Sequence, residues 1–156
     1  MSNYSNIDQD YRFWVLFRQT LDAILRAREK ELSPYGISSM QAAALLAIET
    51  IGSKATPAEI SRWLFREPHS VSTLLKRMEK QGLVSRTKDL HRKNLIRVSL
   101  TEKGQRAFQQ AERRESIRKV MSSLIKEELQ QLESYLERLR SEAFKMLVRN
   151  MKVLPL

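Results

Sequence analysis

From about Ile7 to Glu31 the apolar residues Trp14, Phe17, Leu21 and Ile24 recur every three or four positions, the spacing of one helical face. Ser33-Pro34-Tyr35-Gly36 ends that helix, because proline does not continue it and glycine accepts a left-handed turn. A second helix opens on a capping box, Ser38 reaching forward and Gln41 reaching back, and its near-continuous apolar run Ala42 to Ile48 predicts a core helix that stops at Gly52. Thr56-Pro57-Ala58-Glu59 repeats the start signal for a short helix with Ile60 and Leu64 inward, followed by a turn at Phe65-Arg66-Glu67. Pro68 restarts a helix that runs to Gln81, with Gly82 placed for a left-handed cap. Leu83 to Lys88 and Leu95 to Leu100 read as strands around the polar tip Asp89 to Asn94, since Ile96, Val98 and Leu100 alternate with Arg97 and Ser99. Two long helices, Thr101 to Leu124 and roughly Lys126 to Met151, complete a mainly α fold with one small β-hairpin. The charged centre of the first of them, Glu112 to Glu115, reads as a solvated face.

On a wheel of the helix Pro68 to Gln81, Val71, Leu74, Leu75 and Met78 form one buried stripe. The opposite side collects His69, Ser72, Thr73, Lys76, Arg77 and Lys80, with Ser70 at its edge and no acid at its centre. Small polar side chains and histidine allow close approach to base edges, and the cations reach guanine or phosphate, so this face suits a major groove. Charge supports that reading over an ordinary solvated face. The chain carries a net +10, and between Lys54 and Arg97 eleven cations stand against four acids, so +7 of the excess lies on under a third of the sequence. That span includes Arg66, Arg86, Lys88, Arg92 and Lys93 on the turn and the hairpin.

In the last predicted helix Leu129, Leu132, Leu136, Leu139, Ala143 and Met146 repeat with a period of about 3.5, a helix-packing seam. With the stripe Trp14, Phe17 and Leu21 near the other end, it offers more apolar surface than one domain of 156 residues covers, which predicts a homodimer. With no cysteine there is no disulfide, thiolate zinc site or cysteine nucleophile; the two histidines, His69 and His91, make no transition-metal site, and no cofactor is expected. Met1 to Asp10 lack the pattern of a signal peptide and Ala42 to Ile48 is too short to span a bilayer, so a cytoplasmic protein with no membrane partner is expected. No phosphate loop, zinc-protease pattern or serine triad context is present, which argues against an enzyme.

Three blocks, Thr56-Pro57-Ala58-Glu59-Ile60-Ser61, the run from Val71 to Val84, and Val98-Ser99-Leu100-Thr101-Glu102-Lys103-Gly104, resemble the MarR family of transcriptional regulators in content, order and spacing. The resemblance spans the whole chain and implies a single domain over 1–156. It implies a winged helix-turn-helix lobe over 38–100 and dimerisation helices over 7–32 and 101–151 that interlock in an obligate dimer. The helix Pro68 to Gln81 would enter the major groove of duplex DNA and the hairpin would act as a wing toward the minor groove, typically to repress transcription from a pseudo-palindromic operator. Many relatives also sense a small aromatic or anionic effector between the dimer helices and the DNA-binding lobe; Trp14, Trp63 and Tyr35 are pocket candidates here, against the alternative that they are core. The wing reads Asp89-Leu90-His91-Arg92-Lys93-Asn94 where the family often has D-x-R-D-x-R, so Arg92 or Lys93 replaces the usual tip arginine. The turn at Phe65 lacks the family's common glycine. The rival reading is a dimeric winged-helix module that binds proteins and does not read DNA.

Overall fold

The computed structural model describes residues 8–147; the predicted helix ends Ile7 and Met151 lie outside them. The chain runs through α1 (Gln9–Leu32), α2 (Ser39–Ile51), α3 (Pro57–Leu64), α4 (Pro68–Lys80), β1 (Val84–Lys88), β2 (Ile96–Leu100), α5 (Glu102–Ala111), α6 (Glu115–Met121) and α7 (Lys126–Leu147). Each early boundary has the local cause that the sequence announces. Gln41 N–H donates to Ser38 Oγ (3.1 Å) and Ser38 N–H to Gln41 Oε1 (2.9 Å), closing the capping box of α2. Thr56 Oγ1 caps α3, and Pro57 and Pro68 stand at the first helical positions of α3 and α4. At the end of α4, Gly82 takes φ +72°, with Leu83 N–H bonded to the Met78 carbonyl and Gly82 N–H to the Glu79 carbonyl, a Schellman ending whose Leu83 and Met78 are both buried.

The core lies where α2, α3, α4, the hairpin base and α5 meet, around Leu45, Ile48, Ile60, Val71, Leu75, Met78, Val98 and Phe108, closed by Leu32 from α1. β1 and β2 pair antiparallel from Val84 opposite Leu100 to Lys88 opposite Ile96, and Val98 N–H also bonds the Ala55 carbonyl, tying the hairpin to the entry of α3. Thr101 N–H bonds the Leu83 carbonyl (3.1 Å) and brings α5 so close to that strand entry that a Cβ on Gly104 would sit 1.9 Å from the same oxygen. Since a backbone carbonyl cannot rotate away, Gly104→Ala is expected to lower stability by about 2 kcal/mol, read as a reduced urea midpoint at unchanged slope.

The predicted single helix from Thr101 to Leu124 is two helices. α5 ends at Ala111 and α6 starts at Glu115, with Arg114 between them in the left-handed region at φ +51°. Two buried or nearly buried side chains of α1 hold the break. Arg28 donates to the Ala111 carbonyl (2.5 Å) at the end of α5, and Glu31 accepts from Glu115 N–H (2.8 Å), Ser116 N–H (3.2 Å) and the Ser116 hydroxyl at the start of α6. Arg28 and Glu31 are themselves paired (2.9 Å), so one ion pair satisfies both broken ends. Glu112 to Glu115 is therefore a joint, not the solvated face of a continuous helix.

Only Arg28 and Leu32 of α1 are buried, and no described residue of α7 is. Trp14, Phe17, Leu21, Leu136, Leu139 and Met146 stand exposed, while Leu129 and Leu132 are half-buried. No described helix is long and apolar enough to cross a membrane.

Candidate nucleic-acid interface

α3 and α4 are joined by a tight turn that explains how the chain manages without glycine there. Phe65 itself adopts φ +50°, and the turn is stapled on either side: Arg66 N–H bonds the Ser61 carbonyl (3.0 Å) while the Ser61 hydroxyl donates to the Arg66 carbonyl (2.5 Å). α4 then buries Val71, Leu75 and Met78 and half-buries Leu74, as its wheel predicts. The outward side presents Arg66, His69, Ser70, Thr73, Lys76, Arg77 and Lys80 to solvent, with Ser72 half-buried at the margin. No side chain caps the first turn of α4, so its leading amides stay open to a partner.

The hairpin extends the same positive surface, and Lys88, Arg92 and Lys93 are exposed on it. Arg86 is different. Its guanidinium donates twice to Glu79 Oε2 (2.9 and 2.6 Å), locking β1 to α4 and holding the Glu79 carboxyl below its ordinary range. Arg97, which the sequence offers only as one more cation, builds the wing: it donates to Asp89 Oδ2 (2.7 Å) and to the Lys54 carbonyl (3.0 Å). Asp89 also accepts from the amides of His91 (2.8 Å) and Arg92 (2.9 Å); the His91 amide first, then Arg97, hold its carboxyl at about 2, well below the usual 3.8. This is the physical use of the single family aspartate retained at the tip.

Three of the four acids in this region are thus neutralised internally, Glu59 by Arg62, Glu79 by Arg86 and Asp89 by Arg97. Among the described residues, Lys54, Arg66, Lys76, Arg77, Lys80, Lys88, Arg92 and Lys93 carry no ion pair. The free positive charge lies on one helix face, the turn before it and the hairpin, where the one acid of the region without an ion pair is Glu67, at the N-cap of α4.

The three candidate pocket aromatics are not brought together. Trp63 packs against the core, Tyr35 lines a cavity of about 450 Å³ with Lys30, Glu31, Arg113 and Lys119, and Trp14 is exposed. At about 1.5 Å rise per residue Trp14 lies roughly 27 Å along α1 from Leu32, out of reach of Tyr35. A different, apolar cleft of about 240 Å³ lies between α1, α2, α5 and α6, lined by Leu25, Arg28, Ala42, Leu46, Phe108 and Ile117 among others.

A sequence model of the MarR family matches residues 35–93, the span from the end of α1 to the wing tip. The organohalide-sensing RdhR transcriptional regulator, solved free of ligand and bound to 2,4-dichlorophenol, is 31% and 30% identical; it aligns with 99% and 100% of this chain and 93% and 94% of its own, at a TM-score of 0.90. The chain belongs to the MarR family. Along 77% of this MarR-family chain and 84% of its relative it is also 29% identical to the HTH-type transcriptional regulator YsmB of Bacillus subtilis. A variant of E. coli MarR solved with operator DNA shares the fold at 22% identity and a TM-score of 0.79, covering 88% of this chain and 99% of its own. In this MarR-family protein each of the three sequence blocks has a structural task. The first caps α3 with Thr56, the second supplies α4 and its Schellman ending, and the third ends the wing strand and seats Gly104 against Leu83.

Proposed function

We propose that this transcriptional regulator binds duplex DNA sequence-specifically as a homodimer, α4 of each protomer lying in a major groove and the hairpin touching phosphate or the minor groove. What carries the reading is the outward face of α4, bare of acids and flanked by unpaired cations, opposite a stripe that anchors the helix in the core. It acts as a repressor, the mode the family resemblance implies, on a pseudo-palindrome with half-sites about one helical turn, roughly 10 bp, apart. The DNA-contact set is Arg66, His69, Ser70, Ser72, Thr73, Lys76, Arg77, Lys80, Lys88, Arg92 and Lys93, with Arg86 holding the wing to α4 through Glu79. The experiment is binding to duplex DNA over a salt series: a regulator of this kind loses affinity steeply with salt and selects a site from random sequence. The protein-interaction module does neither.

Dimerisation is supported by apolar side chains that the described residues of one chain leave exposed, Trp14, Phe17 and Leu21 on α1 and Leu136, Leu139 and Met146 on α7, in line with the half-buried Leu129 and Leu132. Sedimentation at low micromolar concentration is expected to give one species near twice the 18.3 kDa chain mass. A stable monomer would remove both the interlocked helices and the two-fold operator. At the wing, replacing Arg92 and Lys93 together by alanine is expected to weaken specific and random duplexes alike and to lower the salt slope by about 2, with folding unchanged. Unaltered affinity for both duplexes would make the tip a solvated loop.

The apolar cleft beside Arg28 supports control by a small aromatic or anionic effector. At about 240 Å³ it falls below the ~300–1,000 Å³ of drug-sized sites, which favours a single-ring molecule. The RdhR relative is solved with such a molecule, 2,4-dichlorophenol, so chlorophenols are the first probes to titrate against the DNA complex.

A further inference from the structure

Among the described residues only Phe65 and Arg114 combine a side chain with positive φ. At Arg114 the Arg28–Glu31 clamp bonds the chain on both sides; at Phe65 the turn's own bonds, Phe65 N–H to the Arg62 carbonyl (3.2 Å) and Arg66 N–H to the Ser61 carbonyl (3.0 Å), call for the left-handed conformation but do not offset what it costs a side chain. Left-handed backbone disfavours a bulky residue, and this one is 45% exposed, so the core does not hold it there either. Its ring meets one partner from far along the chain. Phe144, near the end of α7, lies with its ring centroid 4.6 Å away and tilted by 56°, inside the favourable range for aromatic pairs. One turn later Leu147 joins Ala58, Arg62, Arg66 and Pro68 in lining a recess over the same turn. No described side chain of α7 is fully buried, yet its last turns end on the residue that begins the turn into α4.

Two residues, Arg66 and Glu67, separate Phe65 from the start of α4 at Pro68, so the backbone of Phe65 sets the direction in which α4 leaves. The geometry points to Phe144 as a positioning residue: it holds Phe65 in the left-handed conformation and thereby fixes the orientation of α4, making α7 a strut from the apolar helical seam to the helix-turn-helix. The functional consequence rests on the reading of α4 as the DNA-reading helix; the mechanical one does not.

The test uses the full chain and four forms: wild type, Phe144→Ala, Phe65→Gly and the double variant. Phe144→Ala is expected to speed amide exchange several-fold at Arg66 and Val71, whose N–H groups bond the Ser61 and Glu67 carbonyls. It is also expected to weaken binding to a duplex selected from random-sequence DNA roughly three- to tenfold, while sedimentation stays that of the wild type. Glycine at position 65 needs no ring to hold it, so in the Phe65→Gly background the second substitution changes neither exchange nor affinity. Unchanged exchange in Phe144→Ala overturns the proposal, as does an equal loss in the glycine background. A shift in sedimentation would overturn it too, assigning Phe144 to the seam. If no form binds duplex DNA the reading of α4 fails, and the exchange data still decide the role of Phe144.

Discussion

Glu31→Ala is expected to destabilise the protein by about 3 kcal/mol at neutral pH, because removing one partner of a buried pair leaves the other charge uncompensated. Arg28 is 8% exposed, and without Glu31 it would keep only the Ala111 carbonyl. The same substitution strips the start of α6 of its acceptor for Glu115 N–H, Ser116 N–H and the Ser116 hydroxyl, so the joint between α5 and α6 loosens as well. Burial alone would raise the Glu31 carboxyl, but the Ser116 hydroxyl, the Arg28 guanidinium and the two amides outweigh it and hold the group at about 2, against an ordinary 4.5. A depressed carboxylate contributes stability that is complete above its unfolded pKa and lost as pH falls through the folded one. The deficit of the variant should therefore be full at pH 7 and shrink between about pH 4.5 and about 2. Urea unfolding at matched protein concentration, which an oligomer requires, measures it. Equal midpoints at pH 7 would mean that the clamp contributes nothing.

His69→Ala and Thr73→Ala are each expected to cost about 1–3 kcal/mol on the selected operator and far less on random duplex. Both are exposed in the first two turns of α4, where the helix approaches base edges most closely. Their double variant carries the largest loss of discrimination predicted for this surface, although residues four apart on a helix share partners and need not add. Lys80 lies at the end of α4, so Lys80→Ala should weaken operator and random DNA to a similar extent. Competition binding with both duplexes separates the two patterns. Full operator discrimination in the His69 and Thr73 variants would show that another element reads the bases.

What the sequence determines here is local. Helix starts at Ser38, Thr56 and Pro68 and the left-handed cap at Gly82 are properties of a few adjacent residues: the two hydroxyls bond the nearest free amides, the proline ring presets a helical φ, and glycine accepts a positive one. The buried stripe of α4 is equally legible, because a period of about 3.6 turns composition into a face. The tertiary structure alone decides whatever depends on a distant partner. Neither glycine nor proline marks the break before Glu115; the groups that satisfy its ends come from Arg28 and Glu31, more than 80 residues earlier. Counting cations between Lys54 and Arg97 does not reveal that Arg86 is committed to Glu79 and Arg97 to Asp89, since those pairs form only when the hairpin folds against α4 and on itself. Phe65 stands where a left-handed backbone favours glycine, and the ring packed against it, Phe144 of α7, comes from beyond α4, the hairpin, α5 and α6, where no local pattern can see it.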